Sequence, residues 1–149
     1  MPDTTSPEMQ GRIQRLLDGN HQSASPAWRW VGLKMVEAEP GRTVLDMQAG
    51  EQMTNHQGVC HGGFISMLAD SAMGSALATV LPEGERHMSF DLKVSFLKPV
   101  RIGDMVRAEG TVAHSGRRTA VGLCRMEVGG ELVATASASF IVYLPENNS

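Results

Sequence analysis

The chain has 149 residues, of which 42% are hydrophobic and 19% charged, and its formal net charge is −3. This composition excludes a disordered chain and argues against broad binding to nucleic acid backbones. A chain of this length can bury one sizeable core, so we expect a single domain over residues 1–149 with its core at about residues 30–142.

The sequence also bears on location. The most apolar stretch, residues 64–81, is interrupted by Asp70, and the N-terminus lacks a basic region followed by an apolar one. The only cysteines, Cys60 and Cys124, fit neither a disulfide framework nor a paired metal-ligand spacing. We therefore expect a cytoplasmic protein that does not enter a membrane and does not bind nucleic acid.

The first third of the chain predicts a short N-terminal helix followed by a hairpin. Ser6 before Pro7 is typical of a helix start, with Ser as N-cap and Pro at the first helical position. An apolar stripe at helical spacing follows at Met9, Ile13, Leu16 and Leu17. Residues 30–39 and 43–49 favour extended structure, and the Pro-Gly pair at 40–41 marks a turn between them.

A long helix and four strands are predicted for the rest. Residues 63–81 are apolar or small almost all round, as expected of a helix buried on most sides. Alternation and β-favouring composition then indicate strands at residues 89–97, 106–112, 121–128 and 132–142, with Gly-Gly at 129–130 as a hairpin turn. This order predicts an α+β fold in which an antiparallel sheet of five to six strands wraps around the long helix.

Asp70 lies inside the predicted long helix and is the only formally charged residue between Glu51 and Glu83. A buried carboxylate loses hydration worth several kcal/mol unless something replaces it. It therefore either satisfies a structural role, by capping a backbone group or pairing with an Arg, or it takes part in chemistry. When Asp70 is considered alone, the structural and the catalytic interpretations are about equally well supported.

The start of the same helix adds a second element. At Gly62 and Gly63, backbone N–H groups without intrahelical acceptors stand at the positive end of the helix dipole, which suits an oxyanion. Gly62 and Asp70 are eight residues apart, which is about 12 Å along a helix axis. They cannot act on one carbonyl from the same helix, so the catalytic interpretation requires at least a dimer with two equivalent sites.

These residues belong to a motif, N-x-x-G-x-x-H-G-G-x-x-x-x-x-x-D, filled by Asn55, Gly58, His61, Gly62, Gly63 and Asp70. The motif resembles the signature of PaaI-type acyl-CoA thioesterases, hotdog-fold proteins of the 4-hydroxybenzoyl-CoA thioesterase superfamily. The similarity extends over roughly residues 30–142. It implies a long helix wrapped by an antiparallel sheet, a homodimer whose subunits join their sheets edge to edge, and a homotetramer built from two dimers.

The resemblance also implies a catalytic role for each of five residues. Gly62 N–H would hold the thioester oxygen, and Asp70 of the partner subunit would be general base or nucleophile. Asn55 would position the water or the departing thiolate, and Ser89, in the segment MSFDL, would orient the attacking water. His61 would shape the loop or touch the carbonyl.

Coenzyme A would be bound as part of an acyl-CoA substrate, with no separate cofactor. Arginines in KPVRIGD and HSGRRTA fall in or beside turns, where guanidinium groups could meet the coenzyme phosphates. The alternative is that each is a solvated hairpin end. The substrate-binding residues implied by the resemblance are Gly63, Arg101, Ser115, Gly116, Arg117 and Arg118.

Other signals are weaker. His56 and His61 do not share a helix face, and the remaining histidines, including His87, form no ligand pattern, so no metal site is predicted. Cys60 beside His61 is interpreted as packing rather than as a nucleophile. The main rival function is a non-catalytic acyl-CoA-binding module, and a hotdog hydratase or dehydratase is the weaker rival because its motif is not found.

Overall fold

The computed structural model describes residues 6–18 and 25–146. Within these ranges the chain forms three α-helices, one 3₁₀ turn at Glu51–Met53 and six β-strands. In chain order they are α1 (Pro7–Asp18), α2 (Pro26–Val31), β1 (Lys34–Glu39), β2 (Arg42–Gln48), α3 (Gly62–Ala78), β3 (Arg86–Phe96), β4 (Met105–Ser115), β5 (Thr119–Val128) and β6 (Glu131–Tyr143). None of the helices in these ranges combines the length and the apolarity that crossing a bilayer requires.

The six strands form one antiparallel sheet in the order β1-β2-β4-β5-β6-β3. Helix α3 packs across one face of the sheet and contacts every strand from β2 to β6. Its residues Leu68, Ala72, Met73 and Leu77 are almost completely buried. The predicted α+β architecture, with one long helix against an antiparallel sheet, is confirmed, and the sheet has the larger of the two expected strand numbers.

Small residues let the backbone of α3 lie directly on strands β2 and β4. A Cβ atom built on Gly110 of β4 would lie 2.4 Å from the carbonyl carbon of Ala72, so only glycine fits there. On β2, Thr43 is fully buried, and its Oγ1 donates a hydrogen bond of 2.8 Å to the carbonyl oxygen of Ala72. Thr43 and Gly110 face each other in the sheet, so together they set the distance between helix and sheet.

Gly110→Ala is expected to lower the free energy of unfolding by about 3 kcal/mol, because the added methyl group meets backbone atoms that move only with the whole helix. Gly11→Ala is the matched control. An added Cβ at Gly11, in helix α1, finds only the flexible Arg15 guanidinium at 3.4 Å, so a gain of about 1 kcal/mol from helix propensity is expected. Urea unfolding measures both changes, and wild-type stability of Gly110→Ala would contradict the close approach.

Helix α1 begins as predicted and is held against the end of α3. Ser6 Oγ caps it by accepting a hydrogen bond of 3.2 Å from Met9 N–H. From the middle of α1, the Arg12 guanidinium donates hydrogen bonds to the carbonyl oxygens of Ala78 and Leu81. Because the last carbonyls of a helix have no intrahelical donors, this side chain both caps α3 and ties α1 to it.

The prediction that residues 30–33 are extended is wrong, because helix α2 continues to Val31 and β1 begins later. Ser25 Oγ caps α2 by accepting a hydrogen bond of 3.1 Å from Trp28 N–H, and Gly32 ends the helix with a φ of 83°. The Ser-Pro dipeptide that indicates the start of α1 recurs before α2. The signal for this helix was therefore present in the sequence.

Several boundaries differ from the predicted ones by one to three residues. Helix α3 spans Gly62–Ala78 rather than residues 63–81, and β3 begins three residues earlier than predicted. The helix stops at Thr79, whose Oγ1 donates to the carbonyl of Ala76 at 2.6 Å and accepts from Gly41 N–H at 2.8 Å. This fully buried hydroxyl joins the end of α3 to the turn between β1 and β2.

The two edge strands of the sheet differ in chemistry. Strand β1 has an irregular register with β2 and carries the charged residues Lys34, Glu37 and Glu39. Such features discourage pairing with another sheet edge. Strand β3 instead exposes Met88, Phe90, Leu92 and Phe96, with exposed fractions of 62%, 58%, 38% and 56%. Apolar side chains exposed along one edge strand indicate a surface for protein contact.

Candidate active site

Two cavities lie beside helix α3, one at its N-terminus and one around its middle and C-terminal half. The first, which we call the Gly62 cavity, has a volume of about 360 Å³ and includes Asn55, Gly62, Phe96, Lys98 and Val100 in its lining. The second, the Asp70 cavity, has a volume of about 470 Å³ and includes Asp70, Ser71, Gly74, His87 and Ser89. Most of the predicted catalytic residues are therefore divided between two cavities.

The N-terminus of α3 offers a backbone donor. His61 Nδ1 accepts a hydrogen bond of 2.8 Å from Gly63 N–H, and the His61 carbonyl accepts one of 3.0 Å from Phe64 N–H. Gly62 N–H has no hydrogen-bond partner within the described part of the chain. Since it stands at the positive end of the helix dipole and its residue lines a cavity, it is the donor available to an oxyanion.

The same hydrogen bonds define what His61 and Gly63 do here. His61 therefore caps the helix by accepting the hydrogen bond from Gly63 N–H at Nδ1. The expected role of His61, to shape the loop or touch the carbonyl, stays a prediction. Gly63, predicted to contact substrate, has its N–H engaged by that ring.

Asn55 shapes the loop in front of α3. Its Oδ1 accepts hydrogen bonds from Gln57 N–H at 2.9 Å and Val59 N–H at 3.4 Å. Its Nδ2 group makes no hydrogen bond with any described residue, so it remains available as a donor in the Gly62 cavity. Burial raises the pKa of the neighbouring Cys60 thiol, and a protonated thiol is a poor nucleophile, in line with the packing interpretation of that residue.

Asp70 is the feature of the second cavity that most needs an explanation. Its Oδ1 atom is buried and accepts no hydrogen bond from any group in the described ranges. No backbone cap or Arg partner for this oxygen is found in these ranges. A buried carboxylate oxygen without a partner is costly, and this one belongs to a residue that lines a cavity together with Ser89.

His87 is a cavity residue that the sequence interpretation missed. It lies two residues before Ser89 on β3, so both side chains point to the same face of the sheet. Its ring packs edge-on against Phe140, with centroids 5.4 Å apart. On the helix side, a Cβ atom at Gly74 would lie 3.0 Å from the ring. Gly74 is one turn after Asp70, so its missing side chain makes room for the imidazole beside the carboxylate.

His87 should make stability depend on pH. Burial lowers its pKa, and the Asp70 carboxylate opposes that shift. Below about pH 6.5 the unfolded chain takes up the proton more readily than the folded chain, so folding stability should fall as the pH drops. His87→Gln should reduce the difference in thermal midpoint between pH 7.5 and pH 5.5. The same substitution at His114, which is exposed, should not reduce it. Equal pH dependence of wild type and His87→Gln would contradict the prediction.

The residues predicted to contact coenzyme A lie at two different places. Arg101 follows Val100, which lines the Gly62 cavity, and its backbone N–H donates to Asp104 Oδ2 at 2.8 Å. The turn at residues 115–118 joins β4 to β5 and lies near the Asp70 end of the sheet, because the Arg118 carbonyl accepts from Val142 N–H at 2.8 Å. The side chains of Arg101, Arg117 and Arg118 are exposed and line neither cavity.

Lys98 is a further cation that the sequence interpretation did not single out. It lines the Gly62 cavity and forms an ion pair with Glu131. Among the residues that the structure describes, no group of three or more His, Cys, Asp or Glu side chains could hold a metal ion.

Comparison with known proteins gives consistent matches. Residues 57–135 match the family model described as the thioesterase superfamily. The chain is 33% identical over 97 residues to PA0474 of Pseudomonas aeruginosa, a protein named as an esterase, covering 65% of this chain and 72% of that one. It is 31% identical over 91 residues to the acyl-coenzyme A thioesterase PaaI of Escherichia coli, covering 61% and 63% of the two chains.

A solved structure supports the same fold. The thioesterase HI1161 of Haemophilus influenzae superposes with a TM-score of 0.81, covering 89% of this chain and 94% of that chain. At 24% sequence identity this likeness concerns the fold.

Proposed function

Because the chain belongs to the thioesterase superfamily, we propose that it hydrolyses acyl-CoA thioesters to a free acid and coenzyme A. The recognition of a PaaI-type protein with the hotdog fold, made from the motif, is confirmed by these matches. The observation that carries the proposed chemistry is the buried, unpartnered Oδ1 of Asp70 at a cavity.

The proposed active site combines residues of two protomers. Strand β3 begins beside the Asp70 cavity, where His87 and Ser89 lie, and ends at Phe96 in the Gly62 cavity. If β3 pairs antiparallel with its own copy about a two-fold axis, the start of one strand lies beside the end of the other. This brings Asp70 of one protomer toward Gly62 of its partner.

The exposed surface of β3 supports this assembly. Pairing would cover the apolar side chains of Met88, Phe90, Leu92 and Phe96, which are exposed in the single chain. It would also extend two six-stranded sheets into one and remove an apolar edge that favours aggregation. We propose a homodimer as the minimal active unit, with a homotetramer formed from two dimers.

In the proposed reaction, the thioester carbonyl oxygen accepts a hydrogen bond from Gly62 N–H. Asp70 of the partner subunit takes a proton from a water that Ser89 orients, and the resulting hydroxide attacks the carbonyl carbon. The Gly62 N–H group, at the positive end of the helix dipole, stabilises the negative charge of the resulting oxyanion. Its collapse breaks the carbon–sulfur bond, and the departing thiolate, positioned by Asn55, takes the proton from Asp70. Direct attack by Asp70 to form a mixed anhydride is the alternative route.

Coenzyme A enters this proposal as part of the substrate. We propose that its phosphates meet the exposed guanidinium groups of Arg101, Arg117 and Arg118, with Ser115 and Gly116 forming the turn that presents the last two. These residues lie near different cavities of one protomer, so a coenzyme bound across the dimer could reach groups from both chains. Exposed arginines match phosphate geometry and retain their charge at all working pH values.

The test is thiol release from a panel of acyl-CoA esters, followed with a thiol reagent. We expect turnover of at least one ester class, with release of free acid in equal amount. Tight binding of acyl-CoA without thiol release would contradict the proposal and favour a binding module. Water addition to an unsaturated acyl-CoA without loss of the thioester would favour a hydratase.

A further inference from the structure

The wall of the Asp70 cavity includes residues from the two N-terminal helices. Leu16 of α1, Trp28 of α2 and Ser25, the N-cap of α2, line it together with residues of α3 and the sheet. These helices precede the part of the chain that matches the thioesterase superfamily, which begins at residue 57. The residues of this wall therefore lie outside the motif and outside the segment that the family model matches.

The N-terminal wall is fixed in place by several contacts. Met9 of α1 is buried, with 6% of its surface exposed. Leu16 and Trp28 are half-buried and pack against the main core. The Trp28 carbonyl accepts hydrogen bonds from Gly32 N–H at 2.7 Å and Leu33 N–H at 3.0 Å. These hydrogen bonds close the end of α2, and the side-chain packing holds the wall against the core, so the wall can exclude a group that is too large.

The chemistry of the two cavities indicates which part of the substrate each receives. No Lys or Arg is among the described residues that line the Asp70 cavity. Its larger apolar side chains are those of Leu16, Trp28, Met35, Met88 and Phe140. The Gly62 cavity contains Lys98. An acyl group therefore fits the Asp70 cavity, while the charged coenzyme is better placed outside it.

We propose that Leu16 and Trp28 determine specificity by limiting the size of the acyl group. This inference rests on the proposed thioesterase function. A rigid indole in the wall of an apolar cavity limits the space for the acyl group, and one methylene in such a pocket changes specificity by about 10- to 200-fold. The limit would be set by the N-terminal helices and not by the catalytic motif.

The experiment compares two tryptophans of helix α2. Trp28 lines the cavity, whereas Trp30 is 73% exposed and its ring lies 6.4 Å from that of Phe64. For each variant we measure kcat/KM for two saturated acyl-CoA esters, one with the chain length that the wild type prefers and one with a slightly longer chain. The ratio of the value for the longer ester to that for the shorter one is then compared between variants. Trp28→Ala should raise this ratio about tenfold or more, and Trp30→Ala should leave it unchanged.

A second variant on a different helix keeps the proposal falsifiable if Trp28→Ala does not fold. Leu16→Ala should move the ratio in the same direction, and thermal unfolding verifies that each variant is folded. Parallel chain-length profiles for wild type, Trp28→Ala and Leu16→Ala would overturn this inference and leave the thioesterase proposal standing. Absence of any hydrolysis by the wild type would overturn both.

Discussion

Asp70→Asn is expected to lower kcat/KM for an acyl-CoA ester by roughly 10²- to 10⁴-fold, because the amide cannot accept the proton from the attacking water. Asn has nearly the same shape, so the fold and the proposed dimer should survive, as size-exclusion chromatography and thermal unfolding would verify. Steady-state thiol release measures the effect. Activity within about tenfold of wild type would contradict a base or nucleophile role.

Asp46→Asn provides the matched control for this prediction. Asp46 is on β2, where it alternates with buried Leu45 and Met47, so its carboxylate lies on the face of the sheet opposite α3. There it accepts two hydrogen bonds of 2.8 Å from Arg107. The same chemical change at this site should affect stability by about 1 kcal/mol or less and leave thiol release unchanged.

Base and nucleophile roles for Asp70 also predict different labelling. Single-turnover hydrolysis in ¹⁸O-labelled water delivers oxygen directly to the released acid if Asp70 is a base. If Asp70 forms a mixed anhydride, water attack at the Asp70 carbonyl of the anhydride places label in that side chain. Label found by mass spectrometry in the peptide that contains Asp70 would therefore identify the anhydride route.

Gly62→Pro is expected to lower kcat by roughly 10²- to 10³-fold, because proline removes the N–H group proposed to stabilise the oxyanion. Gly62 is the first residue of α3, a position where proline is well tolerated. An added Cβ would meet the Phe96 ring at 2.9 Å. Gly62→Ala is therefore the matched control, because it makes the same contact and keeps the donor.

The kcat of the two variants isolates the contribution of the N–H group. Gly62→Ala should lose far less activity than Gly62→Pro, since only the proline lacks the donor. Equal losses in the two variants would assign the effect to the Phe96 contact and contradict the oxyanion role.

Mixing the two inactive chains tests whether the site is shared. In a heterodimer of Asp70→Asn and Gly62→Pro chains, one site combines the intact Gly62 of the first chain with the intact Asp70 of the second. An equal mixture of subunits should therefore recover about a quarter of the wild-type activity. If each site were built within one chain, the mixture would stay inactive. Each variant alone is the control.

The fold could be predicted from the sequence in those segments whose apolar residues follow a clear helical or strand periodicity. The small, apolar residues of α3 and the alternation in β4 to β6 identified those elements. Helix α2 was missed because six residues make fewer than two turns, too short for a 3.6-residue period to be seen. Only its Ser-Pro start distinguished it from the extended structure predicted there.

The site could be predicted where it follows the motif and not where it depends on packing. The beginning of a helix at the Gly62-Gly63 pair and the place of Asp70 within that helix followed from the sequence pattern. His87 and Trp28 reach the Asp70 cavity from elements distant in the sequence. Their approach depends on strand register and on the anchoring of α1 and α2, which no local pattern specifies.

The position of β3 at the sheet edge also affects when the enzyme can be completed during synthesis. Its single neighbour in the sheet is β6, the last strand in the described part of the chain. While the ribosome is still translating β6, β3 therefore has no partner on either side, and the Phe140 wall of the Asp70 cavity is missing. In the proposed dimer, the association of two subunits through β3 must therefore follow the docking of β6.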